Sequence, residues 1–233
     1  MKKSSIILGS AYFIFLHIIL FFPFDINRKI PKNNLTIVSD LHKKYDDNFQ
    51  RKMIAFQSRK SENASRSSIY LFGDSIIQGF NENLLSINAL NFGIGNETIS
   101  QLTQRLDNYS NIDNIKGILL LTGHNDLEDS TPESTLNRYK TLIDKLPRDK
   151  VIVHAVLNVY EANKKLSKLN TKINYFNLLL RNFCIEQNIK YLNVNSELNE
   201  GGQLKQNYQI GDGVHLNAQG NKILARELNK NAF

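Results

Sequence analysis

From Ile69 onward, short apolar runs alternate with longer segments whose apolar residues recur every three or four positions. Five runs read as strands: Ile69 to Phe72, Ala89 to Phe92, Gly117 to Leu121, Val151 to Val156 and Lys190 to Val194. Between them, Ile99, Leu102 and Leu106 share one helical face. Thr131-Pro132-Glu133 supplies an N-cap, an N1 proline and a first-turn acid for a helix ending near Leu146. Ile173 to Gln187 predicts a further helix, and Ala218 to Leu228 closes the chain. Strand–helix alternation of this kind predicts an α/β fold, with a parallel sheet covered on both faces and joined by right-handed crossovers. Ligands of such sheets bind at the carboxyl ends of the strands, so the residues directly after each run carry the most information.

Upstream the pattern changes. Lys2 and Lys3 precede an apolar stretch from Ile6 to Phe24, interrupted only by Gly9, Ser10, His17 and Pro23. That is close to the ~20 residues that span a bilayer. No small-x-small site is present in Phe21-Phe22-Pro23-Phe24-Asp25-Ile26, so residues 1–27 read as an uncleaved signal anchor, a single transmembrane helix. Lys2 and Lys3 on one flank oppose Arg28, Lys29 and Lys32 on the other, which leaves positive-inside counting nearly balanced. The expected orientation puts the amino terminus inside and the rest in the periplasm or outside the cell, since signal-like segments export the chain behind them. Residues 28–68 form a polar juxtamembrane linker in which Leu41, Tyr45, Phe49, Met53 and Phe56 recur at helical spacing. This predicts an amphipathic helix packed on the domain formed by residues 69–233.

Composition narrows the class. Hydrophobic residues at 41%, charged residues at 22% and only 4 Pro describe a globular chain with a buried core. A net charge of +7 would suit an anionic partner. The basic residues are scattered in short groups such as Arg28-Lys29, Lys43-Lys44 and Lys164-Lys165, so no nucleic-acid partner is expected. The single cysteine, Cys184, excludes an intrachain disulfide and a cysteine metal cluster. It lies in an apolar helical pattern, which predicts a buried, inert thiol. Matches to the glycosylation sequon, such as those at Asn34, Asn63 and Asn96, read as chance in an Asn-rich chain, because the one at Asn96 falls among the candidate site residues.

Those residues sit directly after the strands. Gly73-Asp74-Ser75 comes after the first, Gly93-Ile94-Gly95-Asn96 after the second, Gly123-His124-Asn125-Asp126 after the third, and Asp212-Gly213-Val214-His215 precedes the last helix. A serine at a strand-to-helix turn has its hydroxyl at the helix amino terminus, where N–H groups and the dipole favour a developing oxyanion. Asp and Ser are also ordinary N-caps, so Gly-Asp-Ser alone carries little. Asp212-x-x-His215 adds an imidazole that can take the serine proton and a carboxylate that can orient it from the same turn. Asn125 offers a side-chain N–H, the glycine-rich loop a backbone N–H, and Ser75 its own amide: three donors for an oxyanion.

Leu71-Phe72-Gly73-Asp74-Ser75, Leu90 to Thr98, Gly123-His124-Asn125-Asp126 and Asp212-Gly213-Val214-His215-Leu216 together resemble the four ordered sequence blocks of SGNH (GDSL-like) hydrolases. The resemblance spans Ile69 to about Leu228 and is nearest the branch of platelet-activating-factor acetylhydrolase subunits and carbohydrate O-acetylesterases. It implies a flavodoxin-like three-layer fold with strand order 2-1-3-4-5, and ester hydrolysis through an acyl-serine without metal or other cofactor. Roles carry over as Ser75 nucleophile, His215 base and then acid, Asp212 orienter and Asn125 oxyanion donor. The family's second donor, usually a glycine, falls on Asn96, with Gly95 just before it as the alternative. Asn tolerates the left-handed backbone, but its side chain would narrow the acyl pocket and favour small acyl groups such as acetyl.

The expected function is therefore a membrane-tethered serine esterase acting on small acyl esters, with polysaccharide or peptidoglycan of the cell envelope as the substrate class. Three other readings stay open: an O-acyltransferase passing the acyl group to a sugar hydroxyl, a lysophospholipase or thioesterase, and an inactive SGNH-like binding module.

Overall fold

The computed structural model describes residues 32–232 except 162–165 and 167. The expected anchor, residues 1–27, lies outside them. The chain's contacts divide it into residues 1–48 and 49–233. The first unit is helical where described, forming the start of α1 (Lys32–Glu62). No described helix is long and apolar enough to cross a membrane.

The second unit is built on a five-stranded parallel sheet in the order β2-β1-β3-β4-β5. Its strands are β1 (Ile69–Gly73), β2 (Ala89–Gly93), β3 (Gly117–Leu121), β4 (Val151–His154) and β5 (Lys190–Leu192). Alternate residues of β1 serve opposite faces, as the two-residue repeat of a strand requires. Tyr70 and Phe72 join one core with Phe92, Leu120, Leu142 and Phe176. Ile69 and Leu71 join the other with Ile77, Leu119, Leu198 and Leu224. The first core lies under α3 (Ile99–Arg105), α5 (Pro132–Asp144) and α6 (Leu169–Glu186); the second lies under α2 (Ser75–Gln78) and α8 (Ala218–Asn231). Short helices α4 (His124–Asp129) and α7 (Asn195–Leu198) complete the set. A hairpin, β6 (Asn199–Glu200) and β7 (Gln203–Leu204), turns on Gly201-Gly202, both with positive φ.

β4 and β5 each stop two residues before the apolar run does. Beyond them, buried asparagines replace the sheet ladder. Asn177 accepts from the Val156 amide and donates to the Val156 carbonyl, to which Asn195 also donates. Asn195 accepts from the Asn158 amide and Asn170 from the Val159 amide. A side-chain amide offers the same donor and acceptor as a peptide group, so the backbone is satisfied without a strand partner.

α1 also departs from its expected face. Phe56 points outward at 61% exposed, whereas Gln57 and Ser61 are buried. The polar side chains win the inner face because they meet fixed polar partners there: Gln57 bonds the Gly93 carbonyl, and Ser61 accepts from the Ser110 amide.

Candidate active site

Ser75 is the first residue of α2, at the turn leaving β1. Asp74 caps that helix, its Oδ1 accepting from the Ile76 amide at 3.0 Å. Close packing fixes the turn. A side chain on Gly73 would begin 2.1 Å from the Leu121 carbonyl, and one on Gly93 would begin 2.2 Å from the Gln78 nitrogen. Only glycines let β3 and α2 approach the neighbouring backbone this closely.

His215 reaches Ser75 from 140 residues away, with Nε2 2.7 Å from Oγ. Its Nδ1 lies 2.6 Å from Asp212 Oδ2, while Asp212 Oδ1 accepts from the amides of Val214 and His215 at 2.9 and 3.0 Å. One carboxylate thus folds the turn and orients the ring. An ionised carboxylate only accepts, so Nδ1 carries the proton and the neutral ring presents the Nε2 lone pair to the serine O–H. Burial pushes the Asp212 carboxyl upward, but the two amides and the imidazole outweigh it and hold the pKa below the usual range. The turn is held from outside as well. The Ile210 amide donates to the His215 carbonyl, the Tyr160 amide donates to the Gly213 carbonyl, and Asn217 caps α8. The side chains of His215 and Asp212 remain 38% and 41% exposed, so a substrate can reach them from solvent.

The loop after β2 runs beside the nucleophile, since a Cβ on Gly95 would lie 3.8 Å from Ser75 Cβ. The Gly95 amide donates to Gln78 Oε1 at 2.5 Å. Asn96 is left-handed at φ 60° and exposed, and among the described residues its amide has no partner. Asn125 Nδ2 donates to the Glu97 carbonyl at 2.9 Å, which uses one of its two N–H groups.

The structure joins Ser75, His215 and Asp212, sets Gly95 beside Ser75, and ties Asn125 to the far end of the Asn96 loop; the residues the sequence did not reveal are those that hold these groups. Gln78, three residues after Ser75, engages Gly95. Asp126 accepts from the Ile99 amide and pairs with Arg138, fixing the start of α3 together with the Thr98–Gln101 capping box. Glu97 is buried against Arg105. Thr98-x-x-Gln101 is a readable signal of the capping box; the Glu97–Arg105 pair, eight residues apart across a helix start, has none so local. Cys184 is buried in the α6 core, and burial pushes its thiol up to about 12, so it stays protonated.

A parallel sheet in this order, with a serine on its first strand-to-helix turn bonded to a histidine from the last loop, defines the class as a hydrolase built on a doubly wound α/β sheet. The model of the GDSL-like lipase/acylhydrolase family matches residues 71–223, and the chain belongs to that family of ester hydrolases. A search of curated proteins finds no match. Among solved structures, one from Streptococcus pneumonia, provisionally assigned as a platelet activating factor, superposes with TM-score 0.76 and 23% identity, over 85% of this chain and 99% of its own. A lipase/acylhydrolase from Enterococcus faecalis gives TM-score 0.60 at 18% identity, covering 70% and 96%. An acetyl xylan esterase gives 0.58 at 18%, covering 71% and 100%.

Proposed function

We propose that the protein is a serine esterase that removes small acyl groups, acetyl first among them, through an acyl-serine intermediate. The observation that carries this reading is the continuous hydrogen-bonded line Asp212–His215–Ser75. His215 Nε2 takes the Ser75 proton as Oγ attacks the ester carbonyl, and the imidazolium is stabilised by Asp212. The proton then passes to the leaving alcohol as the C–O bond breaks, giving the acyl-serine. Water attacks that ester with His215 again as base, releasing the carboxylic acid and restoring Ser75.

The negative charge on the carbonyl oxygen is met by the amides of Ser75 and Asn96 and the remaining N–H of Asn125. With its amide committed to Gln78, Gly95 is the poorer alternative to Asn96. Small acyl groups are the preferred reading because Asn96 carries a side chain where the family usually has glycine, and the Gly95–Gln78 contact lies beside Ser75.

The apolar run from Ile6 to Phe24 supports a single-pass anchor over residues 1–27 and a catalytic domain in the periplasm or outside the cell. That placement, and an open triad that a polymer can approach, favour acylated envelope carbohydrate as the substrate class. Turnover of p-nitrophenyl acetate, butyrate and octanoate, with Ser75→Ala as control, tests the reading. Ser75-dependent turnover that prefers acetate supports it; no turnover from a folded protein overturns hydrolysis as the activity.

A further inference from the structure

Behind the loop that carries Asn96 lies a buried polar network with a member from outside the sheet domain's strands and crossovers. Arg105, 3% exposed, presents five N–H donors, and all five are taken. Nε and Nη2 grip the two oxygens of Glu97 at 2.5 and 2.7 Å, and Nη2 also donates to the Phe92 carbonyl at 2.7 Å. Nη1 donates to the Tyr109 hydroxyl and, at 3.3 Å, to Gln57 Oε1. Gln57, on α1, completes the set: its Oε1 also accepts from Tyr109 OH at 2.6 Å, and its Nε2 donates to the Gly93 carbonyl at 3.0 Å.

The network grips the loop at both ends. Gly93, where the loop leaves β2, is held by Gln57 directly. Glu97, where it enters α3, is held through Arg105, and the Glu97 carbonyl is the group that receives Asn125. Ile94, Gly95 and Asn96 lie between the two grips. We infer that Gln57 is a positioning residue that sets the oxyanion donors Asn96 and Asn125 through Gly93, Arg105 and Glu97. α1 from Phe49 onward is then a working part of the catalytic unit rather than a spacer. The inference rests on Asn96 and Asn125 being the donors, as proposed for the esterase reaction.

The physical reason is the cost of an unmatched group in a closed network. Without Gln57, a guanidinium N–H, a tyrosine hydroxyl and the Gly93 carbonyl all lose a partner in a site too buried to rehydrate. The loop relaxes to recover those bonds, and displacements of about 1 Å at a reacting centre can cost on the order of 10²-fold in rate.

The test uses the full chain in detergent at pH 8 with p-nitrophenyl acetate. Gln57→Leu removes both polar functions at similar size; Gln57→Glu keeps the acceptor for Arg105 and Tyr109 but turns the donor to Gly93 into a second acceptor oxygen that repels that carbonyl. Phe56→Ala, on the outward face one residue away, controls for changes to the helix. The expected result is a fall in kcat of roughly 10-fold for both Gln57→Leu and Gln57→Glu, with KM within about twofold and Phe56→Ala unchanged. In an Asn125→Ala background the Gln57 effect should shrink to the part that acts through Asn96, so the two losses combine to less than their product. If Gln57→Leu does not fold, Gln57→Glu carries the same comparison. Unchanged kcat, or losses that multiply fully with Asn125→Ala, would overturn the inference while Ser75-dependent turnover stands. Loss of Ser75 dependence in the unaltered chain would instead sink the site assignment itself.

Discussion

The Gly95 amide and the Gln78 side chain are bonded to each other at 2.5 Å, in the loop that runs beside Ser75. The bond decides between two neighbouring amides. A donor already committed to a side-chain oxygen contributes little to a developing oxyanion, whereas the Asn96 amide, one residue on, has no partner among the described residues. Gln78→Ala discriminates directly. If Asn96 is the donor, the loop loses a tie and kcat falls by roughly tenfold. If Gly95 is the donor, freeing its amide raises kcat. Because Gln78 is exposed, thermal stability should move by no more than about 0.5 kcal/mol in either case.

Asp212 does two jobs with two oxygens, and substitutions can separate them. Asp212→Asn can keep an acceptor for the amides of Val214 and His215 but replaces the acceptor facing Nδ1 with an N–H donor. The imidazole then takes the wrong tautomer, and kcat should drop by about 10²–10⁴ with the fold intact. Asp212→Ala should lose similar activity and also melt earlier, since the amides of Val214 and His215 lose the one oxygen that accepts from both. Comparing kcat and melting temperature of the two variants checks the division. Equal melting would mean that the carboxylate does not hold the turn.

Two buried groups should tilt the pH dependence of stability in opposite directions. Burial pushes Glu97 from its usual range up to about 7, against the pull of Arg105. Between pH ~4.5 and ~7 the folded protein therefore holds a proton that the unfolded chain has lost. Stability from this group is present below pH ~4.5 and is lost as pH rises through ~7. Burial lowers His154 to about 4, so the folded state resists a proton that the unfolded chain accepts. Its contribution is present above pH ~6.5 and is lost as pH falls towards ~4. Each group can tilt the curve by at most about 1.4 kcal/mol per pH unit. Over pH ~4.5 to ~6.5 the two slopes oppose each other in the unaltered protein, so denaturant midpoints should show Glu97→Gln declining toward acid, with His154 unopposed, and His154→Gln declining toward pH 7, with Glu97 unopposed. Parallel curves for all three proteins would contradict this.

Most of the site is legible in the sequence because its residues sit where a strand ends, and strand ends are what hydrophobic patterning marks. Ser75, Asn96 and Asn125 each come after an apolar run, and Asp212-x-x-His215 gains its meaning once Ser75 is in view. The support is what stays hidden. Continuing apolar residues predict β4 through Val156, yet the backbone there is paired by Asn177 and Asn195, whose partners depend on the tertiary fold. Periodicity predicts Phe56 on the inner face of α1, yet Gln57 holds that face. Helical spacing finds apolar stripes and cannot see a polar residue that is buried because an arginine and a carbonyl await it. The expected anchor, by contrast, is a reading of residues 1–27, which lie outside the described residues.

The backbone of Asn96 also predicts how chain-length preference can be changed. At φ 60° a residue with a Cβ is strained by roughly 1 kcal/mol relative to glycine, so Asn96→Gly should not destabilise the protein and should keep the amide in place. The change removes only the side chain. If that side chain restricts the pocket, the ratio of octanoate to acetate turnover should rise by about 10-fold, the value of one to two methylenes of newly buried acyl chain, while acetate turnover stays within about twofold. An unchanged ratio with retained activity would show that the acyl chain leaves Ser75 in another direction, and the preference for small acyl groups would then need a different wall.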